Sequence, residues 1–80
     1  MSKADHTEVY RGYWISVFIT SVAGRFQSAY RFYEGVSAPT SAAPVDMRNC
    51  GVVQTREAAT EKAIGMAKER IDVLCGGKTA

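Results

Sequence analysis

The chain of 80 residues contains only two cysteines, two prolines and one histidine, and it has no long apolar run. Each scarcity excludes something. Cys50 and Cys75 form neither a CxxC pair nor a disulfide framework, so zinc ribbons and stapled secreted scaffolds are ruled out, and a cytoplasmic protein with reduced thiols is the expectation. No stretch reaches the ~18 apolar residues of a membrane span, and the polar start Met1–Glu8 has no apolar signal core, so no membrane partner is expected. The single histidine, His6, sits between Asp5 and Glu8 in what reads as a solvated tail rather than a metal site. With no histidine near either thiol, neither cysteine has the base a nucleophile needs, and both read as small buried hydrophobes. The glycines make neither a GxGxxG nor a P-loop pattern, which removes phosphate cradling and leaves no expected cofactor. Glu57, Glu61, Glu69 and Asp72 read as helix-surface carboxylates rather than an acid–base pair. No enzymatic activity is expected. The charge excess is small, 10 Lys+Arg against 8 Asp+Glu for a net +2, too little to imply nucleic-acid binding by itself.

What is present is concentrated between Val9 and Glu34. One tryptophan, four tyrosines and three phenylalanines occur in the chain, and all of them lie between Tyr10 and Tyr33. The stretch is β-branched and aromatic and breaks at Gly24, which predicts a hairpin of strands Val9–Thr20 and Phe26–Glu34. In the first strand the odd positions (Val9, Tyr13, Ile15, Val17, Ile19) make the core face, and Tyr10, Trp14 and Phe18 point the other way. A three-residue loop, Val22–Gly24, would set Ile15 near Arg31 and bury a guanidinium. A four-residue loop, Ser21–Gly24, groups Ile15, Val17 and Ile19 with Phe26, Tyr30 and Phe32. Burying an unpaired arginine outweighs any turn preference, so the second register is expected.

Residues 35–47 carry small residues and both prolines and read as a mobile loop; a short third strand follows over Arg48–Gln54, with Gly51 marking a bulge. Thr55 then caps a helix over Arg56–Cys75 whose stripe Ala63, Ile64, Ala67, Ile71, Leu74 and Cys75 should face the sheet. Gly76-Gly77 ends it. The expected architecture is α+β: a three-stranded antiparallel meander with one C-terminal helix on one face (β-β-β-α). It occupies residues 9–76 as a single domain between tails at 1–8 and 77–80.

One helix covers one face of such a sheet, so the other face presents Trp14, Phe18, Arg31 and Tyr33, with Tyr10 nearby. An apolar patch of this kind marks an interaction site. A partner protein or a second copy of the chain is the leading expectation, with the rings as anchors. Single-stranded nucleic acid or RNA is the alternative, because aromatics beside arginines suit base stacking, and the structural reading beside both is that the Pro-rich loop or the N-terminal tail folds over the patch within one chain.

The Tyr-x-Gly-Tyr-x-Ile strand, the second aromatic strand and Val-Val-x-Thr-x-Glu-Ala before an alanine-rich helix resemble short stand-alone bacterial domains of unknown function. That resemblance covers residues 9–74 and implies the meander-plus-helix layout, without site residues. The β-β-β-α order is also similar to part of a double-stranded-RNA-binding domain. This chain lacks that family's first helix and its lysine cluster at the start of the last one, where Arg56-Glu57-Ala58-Ala59-Thr60-Glu61-Lys62 stands instead.

Overall fold

The computed structural model describes residues 4–37 and 43–76. Four strands precede one helix: β1 (His6–Tyr10), β2 (Tyr13–Val22), β3 (Arg25–Glu34), β4 (Asp46–Val53) and α1 (Arg56–Leu74). They form an antiparallel meander in the order β1-β2-β3-β4, with the helix on one face. The class is α+β, and the sheet has one strand more than the three expected. The tail ends Met1–Lys3 and 77–80, and positions 38–42 of the expected loop, lie outside the described residues.

The extra strand comes from a turn at Arg11-Gly12. Both residues have positive φ, 50° and 84°, the pattern of a two-residue I′ hairpin turn. The strand expected over Val9–Thr20 is therefore two strands, and His6–Glu8 are part of the first. The turn also reverses the alternation: Tyr10 pairs with Tyr13 and shares its face, so Tyr10 lies on the helix side rather than beside Trp14. There its hydroxyl donates to Asp72 Oδ1 at 2.9 Å.

The second hairpin turns on Ala23-Gly24, again with both φ positive, 47° and 81°. This loop is two residues long, not four, and Val22 pairs with Arg25. Loops of two and four residues have the same parity, so the expected face survives: Ile15 pairs with Phe32 and Val17 with Tyr30. β4 pairs with β3 through a shift between Ser28 and Ala29 that leaves Cys50 as the extra residue beside Gly51, whose φ is 87°.

In α1 the Thr55 hydroxyl accepts from the Ala58 amide at 3.0 Å, satisfying one of the orphan donors of the first turn. Its buried residues are Ala59, Ala63, Ala67 and Ile71, an i, i+4 stripe in which three methyl side chains let the helix lie close on the sheet. Against it pack Ile15, Val17, Tyr30, Phe32 and Cys50. The expected stripe ran too far. Leu74 is 44% exposed and Cys75 is exposed. Asp72 is already level with the Arg11-Gly12 turn, where Arg11 Nη1 donates to it at 2.7 Å, so the last residues of the helix overhang the sheet.

Candidate interaction surface

The layer between sheet and helix is filled by the core, and strand alternation sends the remaining side chains to the opposite face. There Trp14 stands between Val9 on β1 and Tyr33 on β3. Phe18 stands opposite Ala29, and Arg31 between Ser16 and Met47. The four residues expected to form a surface, Trp14, Phe18, Arg31 and Tyr33, thus lie on one face of two neighbouring strands. The Arg31 guanidinium carbon sits 4.8 Å from the centre of the Phe18 ring, a cation–π arrangement between diagonal neighbours.

Trp14, Phe18 and Tyr33 are half-buried although no second layer covers them among the described residues. Their shielding comes from cross-strand packing, which also leaves Ser16 only 7% exposed between larger neighbours. Sequence reasoning missed apolar members of the surface, among them Val9, Met47 and Val52, all of them exposed. Val9 changes face because of the Arg11-Gly12 turn; Met47 and Val52 are placed by pairing with Arg31 and Gln27 across the bulged β3–β4 ladder. A shallow depression runs between Phe18, Ala29, Arg31, Met47 and Asn49.

Charge is segregated between the two layers. Glu8 and Asp46 alternate onto the helix side, and Glu34 shares that side through its pairing with Tyr13. Glu57, Glu61, Glu69 and Asp72 belong to α1, and Asp5 is held at the β1 end by the Ile19 amide (2.7 Å) and Arg56 (3.6 Å). No carboxylate remains for the open face, which carries Arg25 and Arg31. The ion pairs Arg11–Asp72, Lys68–Glu8 and Arg70–Asp46 all belong to the helix layer. Among the described residues Arg25 and Arg31 make none.

The titratable groups behind the sheet have structural partners. Burial, with a hydrogen bond donated to Asp46 at 3.0 Å, pushes the Tyr30 phenol up to about 12. Lys68 and His6, hydrogen-bonded to Glu8, hold its carboxyl below the ordinary value. Burial pushes the Cys50 thiol up, the wrong direction for a nucleophile. Among the described residues no group of three or more His, Cys, Asp or Glu is placed to hold a metal ion, and no helix is long and apolar enough to cross a membrane. No protein-family model matches this chain, and no curated protein or solved structure matches it either, so no residue role comes to it from a relative.

Proposed function

We propose that this protein is a non-enzymatic interaction module that binds a macromolecular partner through the open sheet face around Trp14, Phe18, Arg31 and Tyr33. One observation carries the reading: a four-stranded sheet with a core on one face presents three large rings and the exposed Val9, Met47 and Val52 on the other. Monomeric proteins seldom leave so contiguous an apolar patch without a use for it. Rings and an arginine at the centre with smaller polar residues around them match the composition of binding hot spots. Two cysteines outside any disulfide, one of them buried, suit a reducing compartment such as the cytoplasm.

The experiment compares wild type with Trp14→Ala/Tyr33→Ala. Both proteins are taken through urea unfolding, sedimentation over a concentration range, and pull-down with protein and nucleic acid identified separately. The double variant should remain folded and lose the specific associations of the wild type. Associations kept at full strength by the folded variant would overturn the reading.

A further inference from the structure

We propose that the partner of the open sheet face is a single-stranded nucleic acid, with bases stacked on Trp14 and Tyr33 and phosphates met by Arg31 and Arg25. The inference rests on the reading that this face is the binding surface and adds the partner's chemistry to it.

Charge complementarity is the first argument. The net charge is only +2, but every Asp and Glu is accounted for on the helix layer or the β1 edge, and the sheet face holds two arginines that make no ion pair among the described residues. The potential over that face is therefore positive although the chain as a whole is nearly neutral. Arg31, its guanidinium carbon 4.8 Å from the centre of the Phe18 ring, brings a planar, delocalised cation to that face rather than a point charge.

The second argument is the pairing of that charge with flat apolar rings. Trp14 and Tyr33 are paired directly across β2 and β3 and make one stacking platform, and Phe18, with Arg31 over it, stands four residues along β2 from Trp14, about 13 Å away. Base stacking on half-buried rings needs no sequence match and tolerates a shallow surface, which is what the Phe18–Met47 depression provides.

The other occupants fit less well. A second copy docked by a two-fold axis would bring four arginines into one interface with no carboxylate to meet them. The available area also limits that arrangement. Strands of five, ten, ten and eight residues, at about 3.3 Å per residue and about 4.8 Å apart, give a face of roughly 500 Å², so a dimer would bury about 1,000 Å², short of the ~1,200 Å² at the lower end of stable interfaces. An acidic protein segment would meet the arginines but has few flat groups to cover the rings.

Trp14 is the sole tryptophan, so its fluorescence reports directly on this surface. The test titrates an oligothymidylate of about 12 nucleotides into the protein at several salt concentrations, with polyglutamate as the acidic comparison. Saturable quenching by the oligonucleotide but not by polyglutamate is expected. Tyr33→Ala should weaken binding roughly 5- to 150-fold, the contribution of one stacked base. Arg31→Ala should lower the slope of log affinity against log salt by about 0.7, one phosphate's share on a single strand.

No quenching up to about 1 mM oligonucleotide, or equal quenching by polyglutamate, would overturn the proposal. So would binding that both variants leave untouched. If nucleic acid fails while self-association sensitive to Trp14→Ala/Tyr33→Ala is found, this inference falls and the interaction reading stands. If that double variant unfolds on its own, both fall together.

Discussion

At the scale of single residues, environment separates side chains of the same type. Cys50 is buried in the core with its thiol pushed up by burial, while Cys75 sits exposed at the end of α1. With a chromogenic disulfide at neutral pH, one thiol should react promptly and the other only on unfolding; two fast thiols would mean that the β4 bulge is open to solvent. Tyr30 sets a different limit. Its folded-state pKa of about 12 lies above the ordinary 10.0, so the stability it contributes is complete below pH 10 and is lost as pH rises towards 12. The loss should amount to roughly 2–3 kcal/mol, read from urea midpoints, and Tyr30→Phe should remove most of that pH dependence. An unchanged profile in the phenylalanine variant would show that some other group carries it.

At the scale of elements, parity decided what could be read in advance. The inward set Ile15, Val17, Tyr30 and Phe32 is legible from alternation plus the cost of burying Arg31, and it holds although the Ala23-Gly24 turn is shorter than expected. The Arg11-Gly12 turn is not legible, because arginine is a poor signal for positive φ and the flanking aromatics read as one strand. Tyr10 and Val9 were misplaced for that reason alone. Trp14, Phe18, Arg31 and Tyr33 follow from alternation within one hairpin, whereas Met47 needs the pairing of distant strands, which no local pattern encodes.

Two substitutions test these elements. Ala23 at φ 47° is strained, so Ala23→Asn should raise stability by a few tenths to ~1 kcal/mol in urea unfolding; a clear loss would contradict the I′ turn. Ile71→Ala should cost about 2–5 kcal/mol, and Leu74→Ala, at the overhanging end of α1, less than about 1. The reverse order would place the end of the helix on the sheet after all.

At the scale of the whole molecule, the fold is a two-layer slab, 15 Å along its shortest axis, with its acids and ion pairs on one side and, on the other, rings that no second layer covers among the described residues. This division explains how removing large side chains can have opposite consequences. Trp14→Ala/Tyr33→Ala should cost only about 1–2 kcal/mol, the worth of cross-strand aromatic contacts. Two aromatics truncated in a true core would cost about 3–5 kcal/mol each and unfold a domain of this size. The account therefore depends on Trp14 being partly open to solvent in the isolated, folded chain. Acrylamide quenching of Trp14 at low protein concentration measures that directly. The account predicts quenching that is already a substantial fraction of that seen in urea; fluorescence shielded until the chain unfolds would contradict it.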